Sequence, residues 1–335
     1  MVSEALNVIS VSTTYPTADW PARGNFVRRR LEAMAARMNL RVIAPRPWFP
    51  LLRRPPGGRA RDERLAPRQP RVFYLPGILP NPDPWMFGRA LLRDIRAMQP
   101  EFQPDLLDAH FVWPDGVAVA WVARRLKLPY VITIRGKIVS HTRDARRRAL
   151  IRDMLRRAAA RIAVSRDLAR RAAALAADQR PVHVIPNGVD TSCFRPMDRA
   201  AAREALGLHP AARYLISVGY VQELKGFDRV VAVLPELRAR CGDVRLLLVG
   251  NDVGEREFAR RLDRLIETSG MRDAVTHVRG AAAADIARYL NAADVFVLAT
   301  RAEGWCNAIH ESLACGTPVV ATDVGGNREL VSSPA

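Results

Sequence analysis

The stretch DVFVLATRAEGWCNAIHESLACGTPVVAT, residues 294–322, contains strand, loop, helix and strand in succession. Its first apolar run is typical of a buried parallel strand, and VVAT after Pro318 is typical of the next one. Asn307 is suited to be the N-cap of a helix that ends at Cys315. Gly316 then takes the left-handed position after that helix, and Pro318 stops its continuation. This order predicts one unit of an α/β fold with a parallel sheet.

The same alternation of strand and helix extends over the rest of the chain. LNVISVS, LRVIAP, PDLLDAHF, PYVITIRG and RIAVS predict strands in the first half, and ARYLISVGY, VRLLLVG and AVTHVRG predict them in the second. Helical runs separate these strands, among them a basic helix over residues 140–160. Residues 50–85, rich in Pro, Gly and Arg, predict a long exposed loop.

The pattern predicts two doubly wound, Rossmann-like α/β domains that face a cleft. The N-terminal domain spans residues 1–186, and the run NGVDTSCFRPMDR within residues 187–200 predicts the linker. The C-terminal domain spans residues 201–335 and is expected to be incomplete, since a final strand and closing helices would normally follow. Ligands of such sheets bind beyond the carboxyl ends of the strands.

Composition excludes several classes of protein. No apolar run approaches the roughly 20 residues of a membrane span, and the N-terminus is not typical of a signal peptide. The four cysteines show neither a Cys-x-x-Cys pair nor a histidine at metal-ligand spacing, and no Asp-x-Asp pair is present. We therefore expect a reducing, cytoplasmic setting with no disulfide framework, no metal site and no cofactor.

The charge of the chain is uneven. Residues 1–200 hold 36 basic and 17 acidic residues, a balance of +19, whereas residues 201–335 hold 16 and 17, a balance of −1. The basic half predicts a surface that faces an anionic partner: nucleic acid, a phospholipid leaflet or a phosphorylated acceptor. An alternative explanation is compositional, because 49 arginines against three lysines are typical of a GC-rich genome.

Two glutamates flank the predicted helix start, Glu303 in the loop before it and Glu311 one turn inside it. The backbone amides of residues 304–308 would form an anion site at the helix N-terminus, suited to a diphosphate. Glu311 lies about 6 Å along the helix axis from Asn307. Carboxylates accept hydrogen bonds from paired hydroxyls, so the two acids could hold two polyols joined by a diphosphate. Such a ligand is a nucleotide sugar; the alternative is a surface helix whose acids are merely solvated.

This stretch resembles the signature of retaining glycosyltransferase family 4, the glycosyl transferases group 1, whose fold is GT-B. In that family a Glu-Gly-aromatic segment leads to a second Glu and to ACGTPVVA, as it does here. The resemblance extends through SVGYVQELKGFD, VIPNGVDTSCFRP and RIAVSRDLARR, and into the N-terminal segments PDLLDAHFVWPDG and PARGNFVRRR.

The resemblance implies a role for each matching residue. Glu303 and Lys225 would be the catalytic-site pair: Glu303 would bind donor-sugar hydroxyls, and Lys225 would neutralise the departing diphosphate. The remaining donor contacts would come from the Gly24 loop, the backbone near Arg279, Gly304, the amides of Trp305, Cys306 and Asn307, and Glu311 at the ribose. Lys225 also stands out on its own, because the chain uses arginine almost everywhere. A compact ammonium suits a crowded phosphate site.

Two positions depart from the family pattern. Tyr220 stands where an arginine often follows the Val-Gly segment, so a second phosphate-neutralising charge is missing or comes from elsewhere. Arg135 stands where the family has a histidine near the transferred sugar. His110 and Arg135 are therefore the candidate acceptor-side residues, with a purely structural His110 as the alternative.

The reaction implied is metal-independent transfer of a hexose-type unit from a nucleoside diphosphate sugar to an acceptor hydroxyl, with retention. A glycan or lipid-linked saccharide acceptor would place it in cell-envelope or extracellular polysaccharide synthesis, at the inner face of the plasma membrane. The alternatives are another GT-B enzyme such as a nucleotide-sugar epimerase, and a non-catalytic fragment that binds the donor. A basic nucleic-acid-binding protein is disfavoured, because aromatics make up 7% of the chain and no nucleic-acid-binding motif is present.

Overall fold

A computed structural model of the chain describes residues 5–17, 23–48, 64–73, 83–252 and 255–331. The chain divides into two compact units, Met1–Gly188 and Val189–Ala335. Among the described residues, no helix combines the length and the apolar character that crossing a membrane requires.

The first unit is an α/β layer structure. Its strands are β1 (Asn7–Val11), β2 (Asn39–Ile43), β3 (Arg46–Trp48), β4 (Arg71–Phe73), β5 (Leu106–His110), β6 (Tyr130–Ile134), β7 (Ala160–Ala163) and β8 (His183–Val184). Its helices are α1 (Asn25–Ala35), α2 (Asp83–Met98), α3 (Val117–Leu126), α4 (Ile138–His141), α5 (Ala145–Arg157) and α6 (Arg166–Ala176).

Six of these strands form one parallel sheet in the order β2-β1-β5-β6-β7-β8, and β3 pairs with β4 separately. Helix α1 packs on this sheet because Val27 and Leu31, one turn apart, are both buried and contact the core around Val8 and Val42. The strand order reverses direction between β1 and β5. The loops that follow these two strands are therefore where a ligand of this unit is expected.

The second unit repeats this plan. Its strands are β9 (Arg213–Val218), β10 (Val244–Val249), β11 (Val275–Val278), β12 (Val295–Leu298) and β13 (Val319–Ala321). Its helices are α7 (Arg199–Ala205), α8 (Phe227–Cys241), α9 (Arg256–Thr268), α10 (Ala283–Ala292), α11 (Asn307–Ala314) and α12 (Asn327–Leu330). The sheet is parallel, in the order β11-β10-β9-β12-β13, and its direction reverses between β9 and β12.

Helices cover both faces of the second sheet. Alternate residues of β10 point to opposite faces, so that Leu247 joins one buried cluster and Leu246 and Leu248 join another. Helices α8 and α9 pack on the second cluster, while α10 and α11 pack on the first. This arrangement confirms the predicted pair of doubly wound α/β units.

Four details differ from the sequence prediction. The basic helix over residues 140–160 is interrupted, because Asp144 accepts a hydrogen bond from the Arg147 amide and starts α5 at Ala145. Residues 50–85 are not one loop throughout, since Arg71–Phe73 forms β4; residues 49–63 and 74–82 lie outside the described residues. The helix predicted from Asn307 is capped by Cys306 instead.

The fourth difference concerns the predicted linker, residues 187–200. Phe194 is buried at 1% exposure in the core of the second unit, and Asp198 caps α7 through the Ala201 amide. Burying a phenylalanine ties the segment to that core. Most of the predicted linker therefore belongs to the second unit.

Candidate functional site

Lys225 and Glu303 meet at the point where the strand order of the second sheet reverses. Lys225 lies in the loop after β9, and Glu303 lies in the loop after β12, the neighbouring strand. The Lys225 Nζ atom donates to the Glu303 Oε2 atom over 2.6 Å. Their side chains retain 19% and 15% exposure. The structure thus brings together the two residues to which the family resemblance assigns the central roles.

Close backbone packing holds the Lys225 turn against the end of β12. Gly226 has φ +71°, and a Cβ atom there would lie 2.0 Å from the Ala299 carbonyl oxygen. The hydroxyl of Thr300 donates to the Leu224 carbonyl over 2.8 Å, and the Arg301 amide donates to the same oxygen over 2.8 Å. Only glycine permits this approach at this φ. Lys225 is therefore positioned by the backbone on either side of it.

Glu303 is fixed from its other side by the loop after β13. Gly325 has φ +56°, and a Cβ atom there would lie 1.7 Å from the Glu303 carbonyl oxygen. The Gly326 amide donates to the same oxygen over 3.4 Å. Gly325 is thus required by the close approach of two loops at the site.

Helix α11 begins directly beside this pair. Cys306 is its N-cap residue, and no side-chain hydrogen bond caps the helix. Gly304 and Asn307, before and at the start of the helix, are both partly buried. Trp305 is 9% exposed, and its ring packs edge-on against the His310 ring with 5.9 Å between the ring centres. First-turn amides carry partial positive charge and favour an anion nearby.

The charges at the site keep Lys225 protonated. Burial alone would lower the pKa of the Lys225 ammonium, but the charge and hydrogen bond of Glu303, with smaller effects of Cys306 and Tyr220, raise it above its ordinary value. Burial and the Glu303 carboxylate raise the pKa of the Cys306 thiol to about 12. The thiol is therefore protonated at neutral pH, which argues against a nucleophilic cysteine here.

Glu311 and Arg279 are two further donor-side predictions. Glu311 is partly buried one turn into α11. Arg279 follows β11 at the edge of the sheet, where its Nε donates to Asp252 over 3.3 Å and half of its side chain is exposed. Among the described residues no group of three or more His, Cys, Asp or Glu side chains could hold a metal ion.

His110 and Arg135 contact each other in the first unit. Arg135 Nε donates to His110 Nδ1 over 3.1 Å, so the proton of a neutral His110 lies on Nε2, which is 3.1 Å from the Asp108 carboxylate. Ser10 Oγ donates to that carboxylate over 2.7 Å. Sequence reasoning missed this network, whose partners come from three strands.

Burial and neighbouring charges shift the pKa values of His110 and Asp108. It lowers the pKa of the His110 imidazole despite the Asp108 charge, and Arg135 adds to the effect. Burial would raise the pKa of Asp108, but His110 and Ser10 hold it at about 2. The ring of His110 is 0% exposed in this unit. His110 therefore presents no exposed surface in this unit, and its Nδ1 atom is occupied by the hydrogen bond from Arg135.

Gly24 also has a structural reason to be glycine. It precedes α1 with φ +78°, and a Cβ atom there would lie 2.5 Å from the Thr14 carbonyl oxygen. The loop after β1 therefore passes directly over the start of α1. The neighbouring residues 18–22 lie outside the described residues.

Asp115 is a candidate ligand-binding residue of the first unit that the sequence analysis did not single out. It follows β5 at the point where the strand order of the first sheet reverses, and its Oδ2 accepts from the Thr13 amide and hydroxyl at 3.0 and 3.1 Å. Its Oδ1 is buried without a hydrogen-bond partner among the described residues. The available signal was an acid directly after a predicted strand, within PDLLDAHFVWPDG.

Asp115 makes a testable contribution to the pH dependence of stability. Burial raises its pKa from an ordinary 3.8 to about 7, although the hydrogen bonds from Thr13 oppose this. The native state therefore keeps a proton that the unfolded chain loses, and the stability present below pH 4 declines as the pH rises through 7. From about 1.4 kcal/mol per pKa unit, the decline is roughly 4 kcal/mol.

Asp115→Asn cannot ionise and should escape this decline. We expect its thermal unfolding temperature to rise relative to that of the unsubstituted chain as the pH increases from 4 to 8. Measuring both proteins in the same buffers cancels the contributions of the other acids. A constant difference between them across this range would show that Asp115 is not the buried neutral acid described here.

Family models match both units. The model described as Glycosyltransferase Family 4 matches residues 24–192, and the model described as Glycosyl transferases group 1 matches residues 212–334. Among curated proteins, the D-inositol 3-phosphate glycosyltransferase of Segniliparus rotundus is 41% identical over 45% of this chain and 34% of the relative. The protein of that name from Pseudarthrobacter chlorophenolicus is 32% identical over 70% of this chain and 58% of the relative.

The matches thus span between about a third and three-fifths of the length of these two relatives. Solved structures share the fold at lower identity. Sucrose-phosphate synthase from Thermosynechococcus elongatus has a TM-score of 0.74 at 22% identity, covering 97% of this chain and 83% of that one. HepE from Anabaena, solved in complex with UDP and glucose, has a TM-score of 0.74 at 20% identity, covering 98% and 83%. The fold is GT-B, and the chain belongs to glycosyltransferase family 4, the glycosyl transferases group 1.

Proposed function

We propose that this protein transfers a sugar from a nucleoside diphosphate sugar to an acceptor hydroxyl, with retention at the anomeric carbon and without a metal ion. The contact between Lys225 and Glu303 beside the start of α11 is the observation that carries the proposal. It combines a charged ammonium, a carboxylate that can accept from hydroxyls, and the N-terminus of a helix at a strand-order reversal. HepE, which shares the fold, has also been solved in complex with UDP-glucose.

In the proposed reaction the bond between the anomeric carbon and the diphosphate oxygen breaks as the acceptor oxygen bonds to that carbon from the same face. The acceptor proton passes to the departing phosphate. Lys225 and the first amides of α11 stabilise the negative charge that grows on the diphosphate. Glu303 orients the sugar through its hydroxyls, while its charge keeps Lys225 protonated before the donor binds. Glu311 holds the ribose, and the backbone near Arg279 contacts the base.

The acceptor we propose is a glycan or lipid-linked saccharide of cell-envelope or extracellular polysaccharide assembly. D-inositol 3-phosphate, which the names of the two curated relatives contain, is the alternative acceptor to test beside it. Product analysis with each acceptor distinguishes them.

The donor model predicts different effects for the two glutamates. Glu311→Ala should weaken the sugar nucleotide and the free nucleoside diphosphate alike, because both contain the ribose. Glu303→Ala should weaken only the sugar nucleotide, since it removes a sugar contact and leaves the Lys225 charge fully available to the diphosphate. A lost hydrogen bond to a charged group costs about 1.5–3 kcal/mol, so each loss should be about tenfold or more.

Isothermal calorimetry of both variants with both ligands measures these effects. Glu257→Ala, a substitution in the first turn of α9, is a control for loss of a surface acid. If Glu303→Ala weakened the free diphosphate as strongly as the sugar nucleotide, the placing of the sugar against Glu303 would be wrong.

An anionic membrane surface is the second partner that we propose. Helix α5 buries Ile151, Met154 and Leu155 and exposes an arginine face that includes Arg148 and Arg152. Each basic residue near an anionic leaflet contributes about 1 kcal/mol of attraction.

We expect the chain to sediment with anionic but not with neutral vesicles at low salt, and to be released at high salt. Arg148→Gln combined with Arg152→Gln should weaken this binding. Equal, weak binding to both kinds of vesicle would instead favour arginine bias as the explanation of the basic first half.

A further inference from the structure

Arg135 is a buried guanidinium whose fixed hydrogen bonds all go to neutral groups. It is 8% exposed and directly follows β6. Its Nε donates to His110, its Nη1 donates to the Asn187 side-chain oxygen, and its Cζ lies 5.2 Å from the centre of the Phe26 ring. Its Nη2 is buried and has no hydrogen-bond partner among the described residues. The guanidinium is thus held in one orientation, and its Nη2 atom remains available as a hydrogen-bond donor.

Two other buried arginines show what a structural role requires. Arg161 forms a fork with both oxygens of Asp178 and donates to the Leu155 carbonyl. Arg203 donates to Asp294 and to the carbonyls of Ala292 and Pro210. Each of these guanidinium groups has a carboxylate partner, and each uses all three of its nitrogens. Arg135 has neither property, which is unusual for a buried cation.

Among the described residues, no carboxylate forms a hydrogen bond with Arg135 to compensate its charge directly. Burial and the nearby Arg30 lower the pKa of Arg135 to about 9, so that it remains a cation at neutral pH. Asp108 acts on it electrostatically, but this carboxylate is hydrogen bonded to Ser10 and His110 instead. A second cation, Arg30, close to an unpaired guanidinium favours an anion at this place.

There is also open space beside the two glycines that follow Arg135 and its partner Asn187. A Cβ atom added to Gly136, the residue after Arg135, would meet no atom within 4 Å, and the same holds for Gly188, the residue after Asn187. Arg135 lies at the carboxyl end of β6, the neighbour of β5, at the ligand-binding edge of the sheet.

We infer that Arg135 Nη2 receives an oxyanion of a substrate, a phosphate or a carboxylate group. A guanidinium fixed by His110 and Asn187 is suited to such a group, because it pairs with planar or tetrahedral oxyanions through directed N–H bonds. The inference rests on the proposed glycosyl transfer and narrows its substrates to those that carry an extra negative charge. That charge belongs either to the acceptor, as a phosphate, or to the donor sugar, as a carboxylate.

Binding measurements on the whole chain test this with two pairs of probes. The donor arm compares UDP-glucuronate with UDP-glucose, and the acceptor arm compares inositol 3-phosphate with inositol in the presence of UDP. We expect at least one arm to favour the charged member about tenfold or more. Arg135→Met should abolish that preference, and Arg135→Lys should keep part of it, because it retains the charge without the directed N–H fork.

Free UDP is the internal control, since its proposed site is in the second unit and should not respond to Arg135. The inference fails if Arg135→Met leaves both preferences unchanged, or, should that variant not fold, if Arg135→Lys leaves them unchanged. It also fails if the unsubstituted chain prefers neither charged probe. Absence of UDP binding with a preference for inositol 3-phosphate alone would contradict the proposed donor and leave the oxyanion site supported.

Discussion

Lys225→Ala is expected to lower the rate of sugar transfer about 10²–10³-fold while weakening donor binding far less. Negative charge on the leaving diphosphate is greater in the transition state than in the bound donor, so a positioned cation acts mainly on the rate. The Lys225 ammonium is held by the Glu303 carboxylate at 2.6 Å and by the backbone of its own turn. It is therefore already in place before the charge develops.

Single-turnover rates beside calorimetric donor affinities measure the two effects separately. Arg229→Ala is the matched control, because Arg229 is an exposed cation in the first turn of α8 whose side chain donates to the Ala299 carbonyl. Its loss should change the rate by less than about threefold, as expected for a screened surface charge. Equal losses in the two variants would mean that overall charge, and not Lys225, promotes the reaction.

Gly226→Ala is expected to damage both stability and donor binding. An alanine at φ +71° is strained by about 1–2 kcal/mol, and its Cβ atom would lie 2.0 Å from the Ala299 carbonyl oxygen, so the turn must also move. Because this turn carries Lys225 to Glu303, we expect at least about tenfold weaker binding of the sugar nucleotide.

Gly270→Ala separates backbone strain from displacement. Gly270 also has a positive φ, +68°, but an added Cβ atom would meet no atom within 4 Å. Thermal unfolding and donor titration of both variants should show lower stability in each and lost binding only in Gly226→Ala. Unimpaired donor binding in Gly226→Ala would contradict the role given to this turn in placing Lys225.

The order of elements could be predicted because the strands are short apolar runs between amphipathic helices. Helices α1 and α8, for example, are two of the runs that separate these strands, and they begin at Asn25 and Phe227. Helix ends were harder, since capping depends on local geometry. The Asp144 cap interrupts a run whose composition is helical throughout. At α11 the residue before Asn307 takes the cap position, a shift of one residue that composition does not reveal.

The members of the second-unit site could be named from the sequence, but their contacts could not. Lys225 and Glu303 are 78 positions apart, and only the adjacency of β9 and β12 brings them within 2.6 Å. Arg135 and Asn187 are 52 positions apart and meet beyond the ends of β6 and β8, the two strands on either side of β7. The sequence likewise does not show whether a buried arginine has a carboxylate partner. In the folded chain Arg161 is paired with Asp178, whereas Arg135 Nη2 has no hydrogen-bond partner among the described residues.

Recognition of a nucleoside diphosphate sugar by the second unit is the central claim, and a thermal-shift titration tests it most directly. The unsubstituted chain and Glu303→Ala are each heated with UDP-, GDP- and ADP-glucose and with the matching free diphosphates. A ligand that binds the native state raises the unfolding temperature, and at equal concentration a tighter ligand raises it more. We expect one sugar nucleotide to raise that temperature more than its free diphosphate does, and Glu303→Ala to lose this difference. No shift with any of the three sugar nucleotides would contradict the account.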